Sequence, residues 1–371
     1  MHQHSKSGFF ALLWGVMRHT MRLALLPLCA LLALGGCRSA DGPQNRSTTD
    51  VNPAAARETV KWAIALHGGA GTIDRDSPPE LVARHQASLT AALDRAVALL
   101  QGGSSAMDVA EQVVRMLEDD ELFNAGKGAA LTARGEAELD AAIMDGATLR
   151  CGAVAGVRTV KNPISIARLV MQKSKFILLS GGGAEEFADT FRGQPNIERV
   201  PNSYFITPRR QKMLREYLAE QADASSIISG SLPARFGTVG CVVMDSAGNL
   251  AAATSTGGLT GKQFGRIGDA PLIGAGTYAT NASAAVSCTG TGEQFIRHGV
   301  AKALTMRMEL LGEPAAVAAA HIVGRVLAPD DGGLIAVSKG GEIAMAYNSA
   351  GMFRAAADSS GWRLVRIWDT K

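Results

Sequence analysis

Four short segments carry residue types and spacings that can do chemistry. Gly237-Thr238 stands where a polar, charge-rich stretch (residues 190–236) meets a nearly continuous apolar, β-branched run (238–244), so a hydroxyl sits at the mouth of a buried strand. Gly265-Arg266-Ile267-Gly268-Asp269 puts a guanidinium and a carboxylate on one glycine-rich loop, a cation and an anion side by side. Ser287-Cys288-Thr289-Gly290-Thr291-Gly292-Glu293 gathers hydroxyls and small residues just ahead of a predicted helix, where backbone N–H groups point outward and favour negative charge. Phe123-Asn124-Ala125-Gly126-Lys127-Gly128 is a third glycine-rich turn, in which Asn124 can either shape a site or brace the loop.

Other chemistries are excluded by what is missing. There is no HExxH, no paired CxxC and no GxSxG in the sequence. His67-Gly68-Gly69-Ala70-Gly71 looks like an esterase oxyanion element, but without a nucleophile elbow it has no such partner to serve. Residues 256–263 graze a phosphate loop yet lack its opening Gly and closing Ser or Thr. Beyond residue 36 the histidines are His67, His85, His298 and His321, at spacings that suggest no metal site. Of the 37 basic residues, Lys6, Arg18 and Arg22 lie in the first 36, leaving 34 against 34 acidic ones. That balance argues against a nucleic-acid partner, which needs basic residues to neutralise phosphates.

The elements that must position these segments are legible in the apolar pattern. Residues 60–67 alternate as a strand; Ser77-Pro78-Pro79-Glu80 opens a helix that Gly102-Gly103 ends; Ser105 and Asp108 cap a second, to about residue 118. Strand-like patterning over 129–160 precedes a helix at 162–171 and a short strand at 176–180. One helix, 208–222, interrupts the polar stretch. Strands then follow at 238–244 and 250–256, a hairpin at 334–347, and helices at about 292–311 and 313–327. Strands apolar on both faces must be covered on both, so the pattern predicts stacked sheets flanked by helices. The three cysteines beyond the leader, Cys151, Cys241 and Cys288, have apolar or small neighbours and read as buried free thiols.

The N-terminus reads as an export address. Arg22 precedes about twelve apolar residues (23–34), short of the ~20 that span a bilayer, and small residues follow. Leu34-Gly35-Gly36-Cys37 resembles the lipobox of bacterial lipoproteins, which implies lipidation of Cys37 and a membrane-anchored protein on the periplasmic side; a plain secretory signal is the alternative. A second apolar patch, 9–17, allows a start at Met17 or Met21. The domain reading is a signal peptide (1–36), a flexible tether (37–58) and one catalytic domain (59–371).

Taken in order, HGGAG, FNAGKG, LDAAIMDG, VKNPISIAR, GTVG, TSTGG, GRIGDAPLIGAG, SCTGTGE and GGLIAV resemble the isoaspartyl peptidase and plant-type L-asparaginase family of N-terminal-nucleophile hydrolases. The resemblance runs roughly from Trp62 to Arg354 and is weakest over 190–236 and at Lys127, whose counterpart is often apolar or small. It implies an α+β fold, a four-layer αββα sandwich, self-cleaved between Gly237 and Thr238 into chains 37–237 and 238–371. Thr238 would be the nucleophile, with its freed α-amine (pKa near ~7.7–8.0) as general base. Thr256 would orient it, Arg266 would hold a substrate α-carboxylate, and Asp269 would hold the α-ammonium. Thr289 and Gly290 would be oxyanion donors, with Thr291 and Gly292 completing the substrate loop. The family needs no catalytic cofactor, but implies a structural sodium ion held by the carbonyls of Leu117, Glu118, Asp120, Phe123, Ala125 and Lys127. The expected activity is removal of β-aspartyl residues from isoaspartyl dipeptides and deamidation of L-asparagine by a dimer of cleaved heterodimers. Glycosylasparaginase, and a catalytically inactive binding lipoprotein, are the alternatives.

Overall fold

The structure is a computed structural model that describes residues 47–52, 60–71, 75–223 and 237–369. The signal segment, Cys37 and most of the expected tether lie outside the described residues. After β1 (Thr48–Val51) and β2 (Ala63–Gly71) come α1 (Pro79–Gln101) and α2 (Ala106–Glu118). β3 (Leu139–Asp145), β4 (Cys151–Val157), α3 (Pro163–Lys173), β5 (Leu178–Ser180), α4 (Gly181–Asp189) and α5 (Pro208–Asp223) complete the first part. The second part holds β6 (Val239–Met244), β7 (Leu250–Thr256), β8 (Thr277–Ala279), β9 (Ala284–Gly290), α6 (Gly292–His298), α7 (Val300–Leu311) and α8 (Ala315–His321). It ends with β10 (Gly332–Ser338), β11 (Ile343–Tyr347), β12 (Gly351–Asp358) and β13 (Arg363–Arg366).

The fold is α+β with two sheets. One runs β13-β12-β2-β6-β7-β3-β4-β5, antiparallel throughout except for β4 with β5; the other runs β1-β11-β10-β9-β8. The continuous apolar run of β6 follows from its place in the middle of the larger sheet. Its Val239, Cys241 and Val243 enter a core with Leu89 and Leu93 of α1 and Val113 and Leu117 of α2. Its Val242 and Met244 enter another with Ile335 and Val337 of β10 and Met345 of β11, so alternate side chains serve different cores. A third core joins Val286 and Cys288 of β9 to Leu304 of α7 and Ala318 of α8. Cys241 and Cys288 are buried free thiols, while Cys151 is half-buried.

Several element boundaries differ from the sequence reading for local reasons. α1 begins at Pro79 with Pro78, not Ser77, as its cap residue, whereas Ser105 caps α2 by accepting the Asp108 N–H at 3.2 Å. The helix expected over 292–311 breaks at Gly299, whose φ of 54° ends α6 and restarts the chain as α7. The expected helix at 313–327 is α8 followed by a π-helical turn, Ile322–Val326.

The tether reading (37–58) needs a correction over Thr48–Asn52. Thr48–Val51 is a strand paired antiparallel to β11, and it is held there by charge. Asp50 pairs with the fully buried Arg354 (Nε to Oδ2, 2.6 Å), whose other donors meet the Met352 and Ile367 carbonyls at 3.0 Å. Asn52 next to it donates to Asp358 at 2.7 Å. A polar composition misled the sequence reading because the partners are charges far along the chain. Asp50→Ala leaves a buried guanidinium without its counterion and is expected to cost about 3–5 kcal/mol. A urea melt of this variant beside wild type checks it.

Candidate active site

Strand register builds the centre of the site. β6 and β7 pair with Val239 opposite Ser255, which brings Thr238, one residue before β6, across from Thr256 at the end of β7. The Thr238 hydroxyl lies 3.1 Å from Thr256 Oγ1, which also accepts the Gly258 N–H at 3.0 Å. Both threonines are buried. The adjoining turn is braced by Asn124, whose Nδ2 donates to the Gly258 carbonyl (2.8 Å) while its Oδ1 accepts the Ala130 N–H (2.6 Å). Asn124 therefore acts as loop support, and it also lies against Gly237: a Cβ on that glycine would sit 3.1 Å from Asn124 Cβ.

His67 plays a part the sequence reading missed. Its Nδ1 lies 2.9 Å from the Thr238 carbonyl, and because a carbonyl only accepts, Nδ1 carries the proton. Its Nε2 then accepts from Ser287 Oγ at 2.9 Å, and Ser287 in turn meets Thr254 Oγ1 at 2.8 Å. Burial pushes this imidazole down to about 3, so it stays neutral and serves as a fixed donor rather than a base. The fit is close enough to require Gly240, since a Cβ there would come within 2.4 Å of His67 Nε2. The next glycines of the segment crowd the junction: a Cβ on Gly69, which has a φ of 114°, would stand 2.5 Å from Gly237 Cα. The signal that could have exposed this role is the HGGAG segment itself, positioned at the end of an apolar strand.

Arg266 and Asp269 complete the opposite wall. A small cavity of about 10 Å³ is lined by Gly237, Thr238, Thr256, Gly258, Arg266, Asp269 and Gly290, with room for about one water. Arg266 is engaged by Glu293 of α6 through two bonds, Nε to Oε1 at 2.9 Å and Nη2 to Oε2 at 3.0 Å. Sequence reasoning assigns Glu293 no role. That hydrogen bonding holds the Glu293 carboxyl below its ordinary value. Asp269 is buried, and its Oδ2 has no partner among the described residues. Burial raises its carboxyl to about 7, with the Arg266 charge opposing. A Cβ on Gly292 would lie 2.7 Å from Arg266 Nη2 and 3.0 Å from Asp269 Oδ1, so the glycine leaves both groups reachable. Thr291 stands at the N-cap position of α6 without a side-chain capping bond, and Thr289 is fully buried with its hydroxyl accepting the Ala70 N–H at 3.2 Å.

A hydroxyl beside a peptide carbonyl, with a guanidinium and a carboxyl whose Oδ2 has no partner among the described residues across one small cavity, is an arrangement for acyl transfer on a zwitterionic ligand. Comparison with known proteins agrees with that geometry. Residues 60–367 match the family described as asparaginase. The chain belongs to the asparaginase family. It is 45% identical over 330 residues to a probable isoaspartyl peptidase/L-asparaginase 2 of Arabidopsis thaliana, covering 83% of this chain and 99% of that one. It is 46% identical over 302 residues to an isoaspartyl peptidase of Salmonella typhimurium, covering 80% and 95%. A plant-type L-asparaginase of Pyrococcus furiosus is 42% identical over 303 residues, covering 78% and 94%. In this asparaginase-family chain the matched span includes every segment that lines the cavity.

Proposed function

We propose that the protein is a threonine hydrolase that removes β-aspartyl residues from isoaspartyl dipeptides and deamidates L-asparagine. The observation that carries this reading is the Thr238 hydroxyl, 3.1 Å from Thr256 and directly after Gly237, in one cavity with Arg266 and Asp269. In the precursor, Thr238 Oγ1 attacks the Gly237 carbonyl, and hydrolysis of the resulting ester frees the Thr238 α-amine. His67 holds the Thr238 carbonyl while this happens, and Gly237 lets the hydroxyl approach without a Cβ in the way. In the mature enzyme that amine takes the hydroxyl proton, Thr238 Oγ1 attacks the substrate β-carbonyl, and Gly290 with Thr289 receives the oxyanion. Water then hydrolyses the aspartyl ester. The names of the relatives favour this reading over a glycosylasparaginase. Purified enzyme should release aspartate from both β-Asp-Leu and L-asparagine; release from neither contradicts the reading.

The raised Asp269 carboxyl gives a pH dependence with a definite sign. To hold an ammonium it must be ionised, and below about 7 it takes up its proton. The Thr238 amine, near ~7.7–8.0 when free, must likewise be unprotonated to act as base. Both demands point the same way, so kcat/KM for β-Asp-Leu should fall more steeply than tenfold per pH unit on acidification below about 7. A pH–rate profile checks this.

The wider setting is part of the same proposal. The three cores, with helices α1 and α2 on the outside of one sheet and α7 and α8 on the outside of the other, support an αββα sandwich of the N-terminal-nucleophile type. The family resemblance would place a monovalent cation at the loop after α2, which curls back so that the Lys127 N–H meets the Glu118 carbonyl at 2.7 Å. Leu117, Glu118, Asp120, Phe123, Ala125 and Lys127 would hold a sodium ion there, fixing the loop that carries Asn124. The buried Glu118 side chain, raised to about 8 by burial, has its Oε2 unpartnered among the described residues. The cleaved chains would assemble as a dimer of heterodimers. Leu34-Gly35-Gly36-Cys37 supports a lipid anchor on the periplasmic side. Cys37→Ser should abolish radiolabelled-palmitate incorporation and release the protein from membranes in the native host; label that survives this change contradicts the anchor.

A further inference from the structure

We propose that the cavity on the far side of Gly237 is the subsite for the leaving residue of a β-aspartyl dipeptide, an amino acid with an apolar side chain and a free carboxylate, and that Arg209 at its rim receives that carboxylate. This rests on the hydrolase reading above.

Gly237 lines two cavities at once: the small one holding Arg266 and Asp269, and a second of about 330 Å³, within the size range of small-molecule sites. It is therefore the partition between them. Cleavage before Thr238 turns Gly237 into a chain end no longer tied to the nucleophile, so the larger cavity comes to adjoin the Thr238 hydroxyl. The substrate's orientation then follows from its charges. Its α-carboxylate and α-ammonium are held at Arg266 and Asp269, its β-carbonyl lies at Thr238, and whatever follows the scissile bond extends away from that clamp, past the place of Gly237. When the bond between the β-carbonyl carbon and the leaving nitrogen breaks, the Thr238 α-ammonium returns its proton to the leaving amine.

The walls of the larger cavity match such a leaving group. His85 stacks on Phe353 at 4.2 Å between ring centroids and meets Phe123 edge-on at 5.5 Å, giving one apolar wall. Its Nδ1 is buried without a partner among the described residues. The opposite wall is cationic. Neither Arg209 nor Arg210 forms an ion pair within 4 Å among the described residues, Glu121 near Arg209 being taken by Arg84 at 3.7 Å, whereas Lys212 has Glu216 at 3.7 Å. Arg210 is buried and spends its Nε on the Gly128 carbonyl. Arg209 is exposed at the rim, donates from Nη1 to the Leu122 carbonyl at 3.2 Å, and keeps donors for an anion. L-asparagine, which releases ammonia, would use none of this surface.

The test is the ratio of kcat/KM for β-Asp-Leu to that for L-asparagine, measured on self-cleaved enzyme. Arg209→Met should lower this ratio about tenfold, through KM for the dipeptide, and Arg209→Lys should restore most of it. Wild-type enzyme should show the same loss on β-Asp-leucinamide, whose carboxylate is blocked, and this arm needs no variant to fold. Adding Arg209→Met should lower the leucinamide ratio no further. An unchanged ratio in Arg209→Met, or leucinamide cleaved as well as β-Asp-Leu, overturns the subsite. Equal loss on both substrates assigns Arg209 to support of the Leu122 loop and overturns it too. Wild-type enzyme that cleaves neither substrate overturns the hydrolase reading, and the subsite with it.

Discussion

Thr238→Ala is expected to leave the protein as a single uncut chain with activity reduced on the order of 10⁴-fold or more. The change removes one hydroxyl that serves twice, first on the Gly237 carbonyl and then on the substrate. Nothing nearby can replace it: Thr256 Oγ1 is 3.1 Å away but accepts the Gly258 N–H, and it has no α-amine beside it. His67 is fixed as a neutral donor to the Thr238 carbonyl and offers no base. Thr238→Ser keeps the oxygen and should still cleave, more slowly. A denaturing gel and an assay on β-Asp-Leu check both variants.

The second large effect concerns which aspartyl bond is cut. Arg266 and Asp269 ask for a free α-carboxylate and a free α-ammonium on the same carbon. An isoaspartyl residue offers both, because its peptide bond runs through the side-chain carboxyl. A normal α-aspartyl peptide has spent that carboxylate in the bond, so Arg266 would keep only Glu293 and gain no substrate contact. Losing a bidentate charge-assisted contact costs about 2–5 kcal/mol, or roughly thirty- to several-thousand-fold in rate. β-Asp-Leu should therefore be cleaved in strong preference to α-Asp-Leu. Arg266→Lys should impair catalysis severely, since an ammonium cannot reproduce the planar fork. It should leave self-cleavage largely intact, because no external carboxylate takes part. Comparable turnover of α- and β-aspartyl dipeptides would show that the clamp lies elsewhere.

The centre of the site was legible because its residues are unusual in type and close in sequence. Gly237-Thr238 at a strand mouth, and Arg266 with Asp269 among glycines, line one cavity. What escaped the sequence reading is held by long-range partners. His67 reaches the Thr238 carbonyl from another strand, Glu293 reaches back to Arg266 from α6, and Arg209 belongs to a cavity assembled from segments spread between Gly68 and Ile367. A period-2 or period-3.6 pattern reports which face of an element is buried, not which charge it meets. The same limit explains β1, where a polar stretch is ordered by Asp50 and a buried Arg354. It also explains α4, whose Gly181-Gly182-Gly183 start carries little helical signal.

The most direct test of the account is the N-terminal sequence of the smaller fragment of the active enzyme, which should begin Thr-Val-Gly-Cys at Thr238 and run the 134 residues to Lys371. A smaller fragment that begins at any other residue, or full activity from an uncut chain, would contradict it.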